Sequence, residues 1–389
     1  MNTENNPIEI TLSDRLSSVG EYYFSKKLRE VDELRKAGRE IISLGVGSPD
    51  LPAAKVVCDR LAVESAKPGA HGYQSYIGSL ELRSAFCYWY QTYYGVTLNP
   101  QNEVLPLIGS KEGVMHCMMT YLSKGDKVLV PNPGYPTYTS AVNLAGGVIV
   151  EYKLKEENDF QINFDEIEAD GLKGVKIMVV NYPHMPTGTT PKEGLFENIV
   201  KFAKKHNILV LHDNPYSFIR NEKPMSLLSV EGAKDCVLEL NSLSKSHNMA
   251  GWRLGALMGA KERITEVLRF KSNMDSGMFL PMQLAAAEAL HLGDDWYESL
   301  NKVYKEREEL GYAIIDKLGC TARKNQAGLF IWGKLPENSG DCYEFIDKIL
   351  LEKGVFITPG AIFGSEGKDY IRISLCAPKE KLQEALNKL

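Results

Sequence analysis

The sequence predicts an α/β protein: a large domain built on a mostly parallel sheet between helices, plus a smaller α+β domain. Three observations predict it. Brief runs rich in Val, Ile and Leu recur at Lys127–Val130, Lys176–Asn181, Ile208–His212, Cys236–Leu240 and Leu254–Met258, each bounded by Gly, Pro, Asp or Asn. Strands buried on both faces of a parallel sheet read in this way. Helix-period segments such as Glu112–Ser123 and Glu193–His206 lie between them, and that alternation implies right-handed βαβ units. From about Asp294 the texture changes, and a long charged amphipathic helix, Trp296–Leu318, leads into short strands at Gly328–Trp332, Val355–Thr358 and Tyr370–Ser374. The expected division is residues 48–293 for the large domain, with 1–47 and 294–389 forming the small one.

A chain of 389 residues is long for one simple core and suits two. Hydrophobic residues make up 44% and charged residues 24%, and the net charge is -5. With no basic stripe, nucleic acid is not an expected partner. Cys58, Cys87, Cys117, Cys236, Cys320, Cys342 and Cys376 are scattered and form no C-x-x-C pair. Neither a disulfide framework nor a metal site is expected, and a reducing, cytoplasmic compartment fits. Met1–Asp14 is polar and acidic, so no secretory signal is expected. Without a run of about 18 apolar residues, no membrane span is expected either.

In open α/β sheets, ligands bind beyond the carboxyl ends of the strands. Three such ends carry polar clusters: Asn181–Gly188, Asp213–Tyr216 and Ser242–Arg253. The segment Asn241–Gly259 reads NSLSKSHNMAGWRLGALMG. Lys245 follows an apolar strand, and Arg253 lies eight residues on, between Gly251 and Gly255. A lone lysine is ordinarily a solvated surface group. Here a serine hydroxyl, Ser242, and a guanidinium, suited to bidentate phosphate contact, accompany it.

The run SLSKSHNMAGWRLG resembles the cofactor-lysine signature of the class I and II aminotransferases, fold-type I enzymes dependent on pyridoxal 5′-phosphate (PLP). Within that family it is most similar to the subgroup of LL-diaminopimelate and alanine-type aminotransferases, which the Lys271–Gly277 run KSNMDSG also resembles. The resemblance extends from about Ser13 to the C-terminus. It implies a PLP-dependent aminotransferase that moves an amino group from an L-amino acid to a 2-oxo acid by a ping-pong mechanism, with Lys245 as the Schiff-base lysine.

The remaining site residues are carried over motif by motif. In His212–Tyr216, HDNPY, Asp213 is expected beside the pyridine nitrogen, whose proton a carboxylate stabilises. Tyr216 is expected at the cofactor's phenolic oxygen. In Gly109–Gly113, GSKEG, Ser110 and Lys111 fall where the family binds phosphate at a helix N-terminus. Tyr135, in NPGYPTY, matches the aromatic over the cofactor ring. Tyr73, opening YQSYIGSLELR, matches the tyrosine that reaches the phosphate of a neighbouring subunit, which implies a homodimer with shared active sites. In SLGVGSPDLP, Gly47 is expected to let the backbone approach the substrate; the run lacks the third glycine of a dinucleotide fingerprint. Arg372, in IRIS, sits between two isoleucines and needs a partner. The resemblance makes that partner the substrate α-carboxylate.

One position departs from the family. Where an asparagine normally reaches the phenolic oxygen, the chain has Met185, within Pro183–Gly188, PHMPTG. A thioether donates no hydrogen bond. Either Tyr216 holds that oxygen alone, or His184 or Asn181 swings in. Two rival readings share most of the site: a PLP-dependent C–S lyase or β-eliminase on the same fold, and a non-catalytic PLP-binding regulator. The regulator would carry a DNA-binding domain, for which only about forty residues precede LGVG. Subgroup resemblance leaves LL-diaminopimelate, alanine, aspartate and methionine-like donors open.

Overall fold

The computed structural model describes residues 8–389. The first seven residues of the N-terminal arm, part of the stretch read for a secretory signal, lie outside the described residues. Among the described residues no helix is long and apolar enough to cross a membrane.

Among the described residues there are twelve strands: β1 (Ile42–Ser43), β2 (Val104–Leu107), β3 (Lys127–Asn132), β4 (Val148–Lys153), β5 (Val175–Val180), β6 (Leu209–Asp213), β7 (Val237–Ser242), β8 (Gly255–Gly259), β9 (Phe330–Lys334), β10 (Val355–Phe356), β11 (Thr358–Pro359) and β12 (Tyr370–Ser374). Seven of them form one sheet in the order β2-β8-β7-β6-β5-β3-β4. From β7 to β4 every pairing is parallel. The fold is thus the expected α/β architecture with a mostly parallel sheet.

Two details differ from the sequence expectation. β8 is antiparallel to both neighbours, β7 and β2. The segment between β7 and β8 holds a single helical turn, Leu243–Ser246, and a 3-10 turn, Ala250–Trp252, instead of a crossover helix, so the chain reverses. The sheet also has edge strands β2 and β4 that the apolar-run pattern missed. Pro106 interrupts β2, as an edge allows, and β4 is largely half-exposed.

This topology gathers the site. The carboxyl ends of the parallel strands β3, β5, β6 and β7 lie along one sheet edge. β2 is antiparallel to β8 and β8 to β7, so β2 runs with the parallel set, and its Leu107 end reaches the same edge. The amino end of β8, preceded by Arg253, arrives there too because that strand runs backwards. Asp213 ends β6, Ser242 ends β7, and Ser110 opens the helix Ser110–Tyr121 just beyond β2.

The C-terminal region builds a second, antiparallel sheet, β11-β12-β9, beneath the long helix Asp294–Lys317. β1 pairs in parallel with β10 and so ties the N-terminal arm to this region. The stretch after β1 is stitched further to β11 and β12. Ser374 donates its backbone N–H to Leu44 O (2.7 Å), and the Thr358 hydroxyl donates to Gly45 O (2.8 Å). Arg307 forks onto Asp50 at 2.6 and 2.8 Å, which fixes the end of the same turn.

Candidate active site

A cleft of about 310 Å³ opens at the gathered strand ends, within the range of small-molecule sites. Its walls include Gly47, Ser110, Lys111, Tyr135, Asp213, Tyr216, Ser242, Lys245, Arg253 and Arg372. The fold therefore brings together every sequence-predicted site residue except Tyr73. That side chain is 94% exposed and lies outside the cleft of its own chain.

Lys245 sits on the helical turn Leu243–Ser246, not on an open loop. The turn forms because Ser242 caps it: the Ser242 hydroxyl accepts from the Ser244 N–H at 3.1 Å. Lys245 Nζ donates to Gly47 O at 2.6 Å. Burial lowers the ammonium's pKa, and the Arg372 and Arg253 charges lower it further; Cys376 and Asp213 pull the other way. Gly47 is constrained by packing: a Cβ there would run into the ring of Phe330. Its carbonyl faces the lysine, and the residue lines the cleft.

Asp213 is 5% exposed at the end of β6. The Tyr138 hydroxyl donates to Asp213 Oδ2 at 2.8 Å, whereas Oδ1 is buried without a partner. Burial pushes the carboxyl up to about 6, against the Tyr138 hydrogen bond and the charges of His212 and Lys245. An orphaned carboxylate oxygen on a residue that lines a cleft calls for a donor from a ligand. Tyr216, three residues on, lines the same wall, its phenol raised by burial.

An anion cradle lies opposite. Gly109, with φ 85°, caps the helix Ser110–Tyr121, and a Cβ there would strike the Arg253 guanidinium. Arg253 itself holds φ 55°, the left-handed region, at a cost of roughly 1–2 kcal/mol for a side-chain-bearing residue. It is steadied by donating to Ala250 O at 3.0 Å. The N-terminal end of that helix, a guanidinium and Ser242, whose hydroxyl also contacts Ser244 Oγ (2.9 Å) and Leu254 O (3.2 Å), line one cleft as a phosphate site requires. Lys111 is turned over the Tyr22 ring, 5.1 Å from its centroid.

Arg372 lies on β12, 4% exposed. Its Nη2 donates to Gly45 O at 3.0 Å and its Nη1 approaches Met185 Sδ at 3.3 Å, while Nε has no partner. The guanidinium stands 3.8 Å from the Phe330 centroid and 4.7 Å from that of Phe363. Burial lowers its pKa to about 10. A buried cation whose contacts are one carbonyl, one thioether and aromatic faces is poised for an external anion.

The Met185 question has a geometric answer. Asn181 is spent at both ends: its Nδ2 donates to Asp213 O at 2.7 Å and its Oδ1 accepts from Met185 N at 2.8 Å. His184 Nδ1 contacts Thr187 Oγ1 at 2.8 Å, and His184 does not line the cleft. His184 is held away from the cleft, whereas Asn181 lines it while anchored by these two backbone hydrogen bonds. The KSNMDSG run contributes a buried Lys271–Asp275 ion pair away from the cleft.

Among the lining residues that the sequence reading did not single out are Tyr22, Phe24, Tyr138, Phe330 and Phe363. Only Tyr138 left a signal, three residues after Tyr135 on the helix Pro136–Leu144. The others reach the cleft through long-range packing.

The model for aminotransferase class I and II matches residues 39–389. The chain belongs to the class I and II aminotransferase family. It is 38% identical over 384 residues to an LL-diaminopimelate aminotransferase of Nitratidesulfovibrio vulgaris, covering 98% of this chain and 99% of that one. It is likewise 38% identical over 379 residues to the enzyme of that name from Aquifex aeolicus, covering 97% and 98%. Apo-BacF from Bacillus subtilis superimposes with a TM-score of 0.93 at 37% identity, covering 98% of each chain. This protein is a PLP-dependent aminotransferase of fold type I. Its cleft fits that cofactor: an amine, an orphaned carboxylate oxygen and an anion cradle surround one space. The lyase and regulator readings find no support among these relatives.

Proposed function

We propose that Lys245 is the lysine that carries PLP and that Asp213, Tyr216, Tyr135, Ser110, Lys111, Ser242 and Arg253 hold the cofactor. Gly47 and Arg372 then receive the substrate. The observation that carries this reading is the common cleft of a buried amine, a carboxylate with one unpartnered oxygen and an arginine without a carboxylate partner.

Bound PLP supplies the aldehyde that links to amines and a ring that withdraws electrons from the substrate Cα. The chain's own residues do the rest. Asp213 keeps a proton on the ring nitrogen, because an opposite charge in a buried site favours the protonated form. Tyr216 hydrogen-bonds the phenolic oxygen. Arg253, with the Ser110 end of its helix, neutralises the phosphate. Arg372 grips the donor's α-carboxylate and so orients the Cα–H bond. Lys245 Nζ, less basic through burial and neighbouring guanidinium charges, takes the Cα proton as an uncharged amine. Aromatic walls exclude water from that transfer.

We also propose that residues 48–293, and 1–47 with 294–389, act as two domains closing over the cleft. The enzyme works as a homodimer in which the exposed Tyr73 completes the partner's phosphate site. Its seven free cysteines suit the cytoplasm. The relatives' name suggests LL-diaminopimelate as donor. The test is amino-group transfer from an L-amino acid to a 2-oxo acid, measured beside release of ammonia and pyruvate. Transfer without ammonia supports the proposal, and ammonia release as the main reaction refutes it.

A further inference from the structure

Phe330 touches three groups of the proposed site. Its ring centroid stands 3.8 Å from the Arg372 guanidinium, its ring lies edge-on to Tyr216 at 6.1 Å, and a Cβ on Gly47 would strike it. The face of a buried ring attracts a cation. This ring therefore helps to set where the guanidinium rests, and a shift of β9 would move that platform.

The entry of β9 is held from the segment that bears Asp213 and Tyr216. Four residues past Tyr216 that segment reaches Arg220, whose side chain is 4% exposed. Arg220 Nη1 donates to Gly328 O at 3.2 Å and to Phe330 O at 3.1 Å, and Nη2 donates to Glu308 Oε1 at 2.6 Å, on the long helix Asp294–Lys317. One nitrogen thus bridges the two carbonyls that flank Leu329, and the other is anchored by a charge-assisted bond. The backbone joins in. Gly328 N–H donates to Ile219 O at 2.8 Å, and Arg220 N–H donates to Asn301 Oδ1 at 2.7 Å. Arg220 takes φ 50°, in the left-handed region that a side chain disfavours, so these contacts offset a strained backbone.

We propose that Arg220 is a positioning residue for the reaction: by holding Gly328 and Phe330 it sets the Phe330 ring against Arg372, and so sets where the α-carboxylate is gripped. The inference rests on the role proposed above for Arg372. Arg220 does not line the cleft and acts through the ring. Both half-reactions present a carboxylate to Arg372, first that of the amino acid and then that of the 2-oxo acid. A misplaced guanidinium weakens both alike, whereas a general loosening of the fold also releases the cofactor.

The test uses the cofactor-loaded, full-length enzyme in a double-mutant cycle over Arg220→Met and Phe330→Leu. KM and kcat are measured for the fastest of L-alanine, L-aspartate, L-methionine and LL-diaminopimelate, with 2-oxoglutarate as acceptor. Arg220→Met should raise KM for donor and acceptor by about three- to thirtyfold each, the range that a buried cation–ring contact supplies, with a smaller change in kcat and the bound cofactor's absorbance retained. In the Phe330→Leu background the same substitution should change either KM by less than about twofold, because its effect passes through that ring. Unchanged KM values in Arg220→Met, or effects that multiply in the double variant, overturn the proposal. Loss of the cofactor's absorbance in place of a KM change assigns Arg220 a fold-wide role and overturns it too. Where Arg220→Met does not fold, Glu308→Gln loosens the anchor and keeps the guanidinium. It should raise both KM values by about threefold in the parent and leave them unchanged in Phe330→Leu; unchanged values in the parent overturn the proposal. Arg372→Ala separates the two readings. Unchanged donor KM in that variant removes the carboxylate role of Arg372 and the inference with it, whereas an effect there with none in Arg220→Met sinks the inference alone.

Discussion

Tyr138→Phe removes one hydroxyl and keeps a ring that packs edge-on against Tyr135 at 5.6 Å. The hydroxyl donates to Asp213 Oδ2 at 2.8 Å and is the side-chain donor that this carboxylate has within the chain, since Oδ1 is unpartnered. A hydrogen bond to a charged group contributes about 1.5–3 kcal/mol, which is about one to two pKa units. Burial already raises Asp213 to about 6, and the Tyr138 bond opposes that rise. Its removal therefore raises the carboxyl further. Ring-nitrogen protonation needs the ionised form, which is present above the pKa and lost as pH falls through it. The acid limb of the kcat/KM profile should move up by about one to two units, with a loss of about ten- to hundredfold at pH values below the old limb and a smaller one on the old plateau. Partial recovery at alkaline pH should follow, because the carboxyl ionises again there. An unmoved acid limb together with a loss below about threefold would refute the assignment of Asp213 as the group that Tyr138 tunes.

Arg372→Ala should raise KM for the amino donor and lower kcat/KM by about 2–5 kcal/mol, roughly 30-fold to several thousandfold, while the bound cofactor keeps its absorbance; unchanged donor kinetics would contradict the carboxylate role. Arg253→Gln should weaken cofactor retention by about ten- to hundredfold, read by dialysis against phosphate buffer, and equal retention would remove Arg253 from the cradle. Met185→Asn adds a donor to the cleft wall that Tyr216 also lines. A spectrophotometric titration of the bound cofactor should then show its Lys245 linkage deprotonating about one pH unit lower, and an equal or higher value would reject that account.

The residues legible in the sequence are those that follow buried parallel strands. An apolar run fixes the strand, and the sheet edge then dictates where its next polar residue goes, as with Asp213 at the end of β6 and Lys245 after β7. Arg372 was legible for a related reason, a cation between two isoleucines on one strand. Tyr22 and Phe24 were not, because their place depends on β1 pairing with β10 across some three hundred residues of chain, a contact that no local pattern encodes. Tyr138 reaches Asp213 across 75 residues, again a product of the closed sheet. The reversal at β8 was hidden because a both-faces-buried strand reads the same in either direction. Met185 was visible as a departure. Its consequence was not, because the engagement of Asn181 at both ends is a matter of coordinates.

Chemical trapping tests the central claim most directly. The purified protein, loaded with PLP, is treated with borohydride, digested and analysed by mass spectrometry. The account predicts a stable pyridoxyl-phosphate adduct on the peptide containing Lys245, absent from Lys245→Ala. An adduct on another lysine, or none in the parent protein, would contradict it.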